Sequence, residues 1–320
     1  MIRLALLAAT VVAPLSASPD RVAPVEVTVP GPGGPLEGTL LDPGARAPAI
    51  LILPGSGPTD RDGNNPLGVA AAPYRLLAEA LADRGIATLR IDKRGMFASK
   101  AAISDPNAVT IGDYATDARA WIDMLRRRSG RACVWLLGHS EGGVVALAAA
   151  QRPEGVCGVI LVAAPGRPLA GVMRAQIRAN PANAPILDAA LAAIDALEAG
   201  KRVDAVTLPG PLKGVFAPAV QGFIIDLFAQ RPGALAANLK VPLLVVQGDR
   251  DIQVSLADAQ LLADSAKGST LAVLPGVNHV LKSVASDDRA ANIATYGNPA
   301  LPLAPGVADA IAGFVTAKRR

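Results

Sequence analysis

The sequence predicts an α/β chain built on a mostly parallel sheet with helices on both faces. Three observations carry this. Short, continuous apolar runs of strand length recur at Ala49–Leu53, Ala87–Ile91, Val134–Leu137, Gly158–Ala163, Leu243–Gln247 and Thr270–Leu274. Segments of helical spacing alternate with them, the pattern of a sheet buried on both faces. The stretch from Val134 to Ala150, VWLLGHSEGGVVALAAA, reads as strand, tight turn and helix, with Gly138-x-Ser140-x-Gly142 at the turn.

Residues 1–18, MIRLALLAATVVAPLSAS, place Arg3 before an apolar run, Leu4–Ala13, with the small residues Ser16, Ala17 and Ser18 behind it. The run is too short to span a bilayer, and the pattern resembles a secretory signal peptide. It predicts export, to the periplasm or the medium, although Pro19 disfavours cleavage directly after Ser18. No later stretch reads as a transmembrane helix, so the mature chain is expected to have no stable membrane span.

Val25–Val29 and Leu36–Leu41 read as an antiparallel hairpin around a loose Pro/Gly turn. Ala49–Leu53 ends in Pro54-Gly55-Ser56-Gly57-Pro58-Thr59-Asp60-Arg61-Asp62-Gly63-Asn64, a composition no helix or strand could continue through. Tyr74–Arg84 has helical spacing and stops at Gly85. The strand Ala87–Ile91 exits into Asp92-Lys93-Arg94-Gly95, and Ile111–Arg128 is a long amphipathic helix. From Pro165 to Leu239 the alternation breaks into Ala-rich helical segments, such as Ile186–Ala199 and Ala219–Ala229. We read residues 165–239 as a helical cap inserted into a core formed by 25–164 and 240–320. Strand–helix alternation resumes with Leu243–Gln247, Leu256–Ser265 and Thr270–Leu274, and a last helix covers Val307–Ala317.

A net charge of +4 is small and scattered. No basic stripe is interleaved with aromatics, which argues against nucleic acid as a partner. The compact basic runs, Arg126-Arg127-Arg128 and Lys318-Arg319-Arg320, sit at helix ends that favour cations. Cys133 and Cys157 are the only cysteines, each near the start of what should be neighbouring parallel strands. In an oxidising compartment they are expected to form a disulfide; two buried thiols are the alternative. Two cysteines and two distant histidines do not make a zinc cluster, and no cofactor is implied.

A serine in a Gly-x-Ser-x-Gly turn is an activated nucleophile only if a base, itself oriented by an acid, reaches it. There are two histidines. His139 is the immediate neighbour of Ser140 and diverges from it, so it should pack or hydrogen-bond beneath the turn. His279 follows the last strand, and loops at the carboxyl ends of parallel strands open on one edge. Asp249 and Asp251 follow the preceding strand. Asp251 reaches further beyond the sheet and is the favoured acid, with Asp249 left to cap the turn or pair with Arg250.

With Ser140, Asp251 and His279 in this order, the chain resembles an α/β-hydrolase from about Val25 to its C-terminus. The resemblance implies the α/β-hydrolase fold and a serine hydrolase of the bacterial carboxylesterase and acyl-hydrolase type. Gly248-x-x-Asp251 fits the family's acid turn. Pro54-Gly55-Ser56-Gly57 stands where the family has its oxyanion loop, which makes the backbone N–H groups of Ser56 and Glu141 the implied oxyanion donors. The strings GSGPTDRDG (55–63), DKRG (92–95) and YGNPALPL (296–303) are similar to those of bacterial esterases. Phe97 departs from the glycine that many relatives have two residues after the Arg-Gly. Asp60, Arg61 and Asp62 are expected to hold their loop, Asp92, Lys93 and Arg94 to brace it, and the Glu141 side chain to lie near the mouth; Lys282 has no assigned role. The expected substrate is a small-molecule ester. An aminopeptidase or amidase, holding a free amine with cap acids among Asp188, Asp195, Glu198, Asp204 and Asp226, is the alternative; a non-catalytic binding protein is a remote one. Acyl-chain length, leaving group and oligomeric state are left open by the sequence.

Overall fold

The computed structural model describes residues 22–318; the expected signal segment, 1–18, lies outside the described residues. In chain order the elements are β1 (Val25–Gly31), β2 (Gly34–Leu41), β3 (Ala49–Leu53), α1 (Pro73–Ala82), β4 (Ala87–Ile91), α2 (Ile111–Ser129), β5 (Val134–His139), α3 (Glu141–Ala149) and β6 (Val156–Val162). They continue as α4 (Leu169–Arg178), α5 (Leu187–Glu198), α6 (Gly210–Val215), α7 (Gln221–Ala229), α8 (Pro232–Ala237), β7 (Leu243–Gly248), α9 (Leu256–Ser265), β8 (Thr270–Leu274), α10 (Arg289–Ala294) and α11 (Val307–Ala317).

The strands form one eight-stranded sheet in the order β1-β2-β4-β3-β5-β6-β7-β8. β1 and β2 pair antiparallel with each other, and β2 with β4; every later pairing is parallel. Continuous apolar runs make sense in this setting because alternate side chains enter two different cores. Leu51 and Leu53, Leu136, Val159 and Leu161, and Val245 meet α2, α3, α8 and α9 on one face. Ile50 and Ile52, Trp135 and Leu137, Ile160 and Val162, and Leu244 and Val246 meet α1 and α11 on the other. Trp135 packs edge-on against Phe314 of α11, with ring centroids 5.5 Å apart.

Several boundaries differ from the sequence reading, β6 among them, which runs Val156–Val162 rather than Gly158–Ala163. The β1–β2 hairpin is tight: pairing runs to Gly31 opposite Gly34, leaving Pro32 and Gly33 as the turn, with Gly33 at φ 83°. Proline is tolerated here because β1 is an edge strand. β5 continues through Gly138 to His139, which pairs with Val162, so the turn begins at Ser140.

Between β6 and β7, helices α4 to α7 surround their own core of Ala170, Ala190, Ala193, Ile194, Leu197, Leu212, Phe216, Ile224 and Phe228. α8 lies instead against the main core through Ala236. Gly210–Ala229 is long and apolar enough to cross a membrane by length and composition, a segment the sequence reading passed over. It is not one continuous α-helix, since α6 ends at Val215, Pro218 opens a short turn, and α7 starts at Gln221.

The sheet order explains where a site can form. β3 has β4 on one side and β5 on the other, so the chain winds in opposite directions from this point. The loops leaving β3 and β5 diverge to opposite faces and open a crevice at the carboxyl ends of the strands.

Candidate active site

Ser140 stands between β5 and α3 with φ 54° and ψ −124°, a conformation costly for a residue with a side chain. The turn is enforced from both sides. The Ser140 N–H donates to the Val162 carbonyl at 3.0 Å, and its own carbonyl accepts from the Gly143 N–H at 2.9 Å. Gly142 is required by close approach: a Cβ there would lie 2.2 Å from the Leu53 carbonyl oxygen at the end of β3. This contact brings the loop after β3 against the first turn of α3.

His279 lies in the loop after β8. Its Nδ1 meets Asp251 Oδ2 at 2.8 Å. The Asp251 carboxylate also accepts from Gln247 Nε2 at 3.0 Å and from the backbone N–H groups of Gln253 and Val254 at 2.7 and 3.0 Å. Burial alone would raise the pKa of this carboxyl, but the His279 ring and the two backbone N–H groups together hold it below the usual carboxylate range. Gly248 lets the loops of Asp251 and His279 close on each other, because a Cβ there would fall 2.0 Å from the Val277 carbonyl oxygen. The Gly248-x-x-Asp251 spacing thus has a steric cause.

Ser140 and His279 are walls of the same cleft, about 250 Å³ in volume, together with Gly55 and Ser56 from the loop after β3. The backbone N–H groups of Ser56 and Glu141 have no partner within the described residues. Glu141 is the first residue of α3, so its N–H is one of the open donors at a positive helix end. The Glu141 side chain corrects an expectation. It does not lie at the mouth but is buried, 3.4 Å from the ammonium of Lys93.

Of the remaining residues singled out in the sequence, His139 lies beneath the turn. Its Nδ1 is 2.8 Å from the Tyr74 hydroxyl and its Nε2 2.8 Å from the His279 carbonyl oxygen. Burial drives its pKa down to about 3, with the neighbouring His279 adding to the effect. Asp249 accepts from the Gly276 N–H at 2.7 Å rather than pairing with Arg250, which pairs with Asp287. Arg61 holds its loop to Asp92 and Glu26, and Asp62 pairs with Arg90 of β4. Asp60 accepts from the N–H groups of Asp62 and Asn64. Lys93 braces the loop directly, donating to the Gly55 carbonyl at 2.7 Å, whereas Arg94 turns to Asp113 and Asp117 of α2. Phe97 holds φ 47°, the region glycine favours. Lys282 is buried, donates to the Leu301 carbonyl at 2.6 Å, and is pushed by burial, with Arg75 nearby, to a pKa of about 8. Cys133 and Cys157 form a disulfide at the amino ends of β5 and β6, opposite the cleft.

Sequence reasoning missed Tyr74, Gln247, Gln253 and Tyr296. Gln247 donates to the Asp251 carboxylate, and Gln253 donates to the Tyr296 hydroxyl at 3.1 Å in the cleft wall. Tyr296 opens the YGNPALPL string, the one available signal; Tyr74 is an ordinary aromatic at a helix start. Among the described residues, no group of three or more His, Cys, Asp or Glu side chains is placed to hold a metal.

Residues 67–197 match the family model described as serine aminopeptidase, S33. Esterase EstD of Thermotoga maritima is 28% identical over 267 residues, covering 81% of this chain and 58% of that protein. The chain thus spans little more than half the length of this curated relative. Among solved structures, a thermophilic esterase from Thermogutta terrifontis superposes with a TM-score of 0.56 at 19% identity, covering 93% of this chain and all of that one. Est1E from Butyrivibrio proteoclasticus gives a TM-score of 0.56 at 16% identity, covering 92% of this chain and 98% of its own. At such identities the structural likeness speaks for the fold. Taken with the sheet order and the strained serine turn between β5 and α3, these similarities show that the chain has the α/β-hydrolase fold.

Proposed function

We propose that the protein is a serine hydrolase of small, uncharged carboxylic esters, working through Ser140, His279 and Asp251 by way of an acyl-enzyme. The observation that carries this reading is the position of His279. One edge of its ring is bonded to a buried carboxylate, and the residue shares the cleft with Ser140. His279 Nδ1–H donates to Asp251, which leaves Nε2 as the bare, basic nitrogen.

In the first step His279 Nε2 takes the Ser140 proton as Oγ bonds to the ester carbonyl carbon. The carbonyl oxygen becomes an oxyanion, stabilised by the Ser56 and Glu141 N–H groups. Each such donor is worth roughly 100- to 1000-fold in rate. Asp251 stabilises the imidazolium. The C–O bond to the alcohol then breaks, and the alkoxide leaves with the proton from His279. Water, deprotonated by the same nitrogen, adds to the acyl carbon; the acid departs and Ser140 regains its proton.

An ester is favoured over an aminoacyl substrate because no Asp or Glu side chain walls the cleft among the described residues. An aminopeptidase needs a negative group to receive the free amine. Four of the five cap acids are engaged elsewhere: Asp195 and Glu198 pair with Arg174, Asp204 accepts from the Val206 N–H, and Asp226 accepts from the Ile111 N–H, while Asp188 is exposed and is not a wall of the cleft. The cleft, at about 250 Å³, is smaller than the roughly 300–1,000 Å³ of sites for drug-sized ligands, which suits short acyl and alcohol groups. We also take the chain to be exported; its N-terminal pattern and its disulfide support this.

The test compares short-chain aryl esters with aminoacyl anilides, for the native chain and for Ser140→Ala. Ester turnover that vanishes in the folded variant, with fluorophosphonate labelling lost alongside it, is the expected result. Anilide turnover exceeding ester turnover, or an active Ser140→Ala, overturns the reading.

A further inference from the structure

Two buried side chains touch the site without taking part in the steps above. The Tyr74 hydroxyl accepts from the Gly55 N–H at 3.0 Å and lies 2.8 Å from His139 Nδ1, while His139 Nε2 lies 2.8 Å from the His279 carbonyl oxygen. Chemistry fixes the direction of every link. A carbonyl oxygen only accepts, so His139 Nε2 must carry the proton. In a neutral imidazole the other nitrogen is then bare, so Nδ1 accepts and the Tyr74 O–H donates to it. With its proton committed, the Tyr74 oxygen is free to take the Gly55 N–H. The chain of bonds therefore has a single permitted arrangement and joins the loop after β3 to the backbone of His279.

Gly55 is also held from its other end. Its carbonyl accepts from Lys93 Nζ at 2.7 Å, and Lys93 is 3.4 Å from Glu141. The Gly55–Ser56 peptide is trans, so its carbonyl and the Ser56 N–H point in opposite directions. Fixing the carbonyl on Lys93, which lies outside the cleft, fixes the direction of the Ser56 N–H, whose residue is a cleft wall. There is little room for slack. A Cβ on Gly55 would lie 3.3 Å from His139 Nδ1, 3.3 Å from Ser140 Cβ and 3.4 Å from the Tyr74 hydroxyl.

We propose that Tyr74 and His139 are positioning residues that lock the oxyanion loop to the loop of the base, so that the Ser56 N–H and His279 reach working geometry as one unit. This rests on the serine mechanism above. Neither residue exchanges a proton with substrate. Their contribution is that a donor and a base on separate loops, far apart along the chain, are not free to drift independently.

The experiment measures kcat and KM on a short aryl ester for Tyr74→Phe, His139→Gln and the double variant, beside Ser140→Ala. Tyr74→Phe keeps the ring and deletes the link. It is expected to lower kcat about 10- to 100-fold, part of what full loss of an oxyanion donor costs, with KM changed less than about threefold. Because both residues belong to one chain of bonds, the double variant is expected to lose no more than the worse single variant. Unchanged kcat in Tyr74→Phe, or losses that multiply, overturns the proposal. Should Tyr74→Phe fail to fold, the ¹⁵N imidazole spectrum of the native chain decides. His139 with its proton on Nε2 is required, and a proton on Nδ1 overturns the inference. An active Ser140→Ala refutes the underlying mechanism instead, which the spectrum does not depend on, so the two failures are distinguishable.

Discussion

Replacing Asp251 with Asn changes one atom and should remove most of the activity. The carboxylate has two jobs on two oxygens. Oδ1 accepts the Gln253 and Val254 N–H groups, and Oδ2 accepts Gln247 Nε2 and faces His279 Nδ1. An asparagine can keep its carbonyl towards the two backbone donors only by turning its NH₂ to Gln247 and His279. His279 must then accept at Nδ1 and carry its proton on Nε2, the tautomer that cannot take a proton from Ser140. Where the acid of a serine-protease triad is changed to its amide in this way, the loss is about 10⁴-fold in kcat, or roughly 5.4 kcal/mol of barrier. Turning the amide round is worse, since it sets the NH₂ against two fixed N–H groups. Gln247 cannot rescue the first arrangement cheaply, because its Nε2 also donates to the carbonyls of Gly248 and Val254, at 3.3 and 3.2 Å. Leaving one buried donor unmatched costs about 1–3 kcal/mol in stability. Steady-state kinetics on an aryl ester, with urea unfolding as the folding control, reads both effects. Asp249→Asn is the companion, since an amide oxygen can still accept the Gly276 N–H, and its kcat should stay within a few-fold of native. An Asp251→Asn chain within tenfold of native, or an Asp249→Asn chain that is the inactive one, refutes the assignment of the acid.

Two further outcomes follow from the same structure. His139 is neutral when folded, with a pKa of about 3, against about 6.5 unfolded. Between these values the unfolded chain binds a proton that the native one does not, so stability falls as pH drops below about 6.5, by up to roughly 1.4 kcal/mol per pH unit. Well above that pH both states are neutral and the effect is absent. Asp251, with its pKa lowered in the fold, adds a loss of the same sign that begins only below about pH 4. Urea midpoints from about pH 7.5 to 4.5 should show the slope in the native chain and a shallower one in His139→Gln; identical slopes count against a buried neutral His139. Opening the Cys133–Cys157 bridge, which closes a loop with a separation of 24 residues, should cost about 3.5 kcal/mol by the loop-entropy relation. Because it lies at the amino ends of the strands, kcat in Cys133→Ser/Cys157→Ser should remain within about twofold. A native-like melting temperature in that variant contradicts the stabilising role.

The sheet-forming segments were legible in the sequence because strand residues are selected by immediate surroundings. Ala49–Leu53, Ala87–Ile91 and Thr270–Leu274 have the limits their apolar runs suggest. The serine turn was legible for a related reason: Gly138 is excluded from having a side chain by an atom of the turn itself, the Gly142 carbonyl oxygen, 2.2 Å from where its Cβ would lie. So was the place of His139 beneath the turn, since neighbouring side chains on such a turn diverge whatever the rest of the chain does.

What tertiary structure alone decided is which groups end up facing each other across loops. The sequence favours Asp251 over Asp249, but that His279 meets Asp251 while the Gly276 N–H occupies Asp249 depends on the assembled loops. The burial of Glu141 depends on Lys93 reaching it from the end of β4. Tyr74 gave no signal at all, because its role exists only once β3 and β5 lie side by side and put Gly55 and His139 within reach of one hydroxyl. Periodicity and turn chemistry act over a few residues and are written locally. A hydrogen bond between Tyr74 and His139 spans 65 positions, and nothing in either neighbourhood specifies the other until the sheet has been assembled.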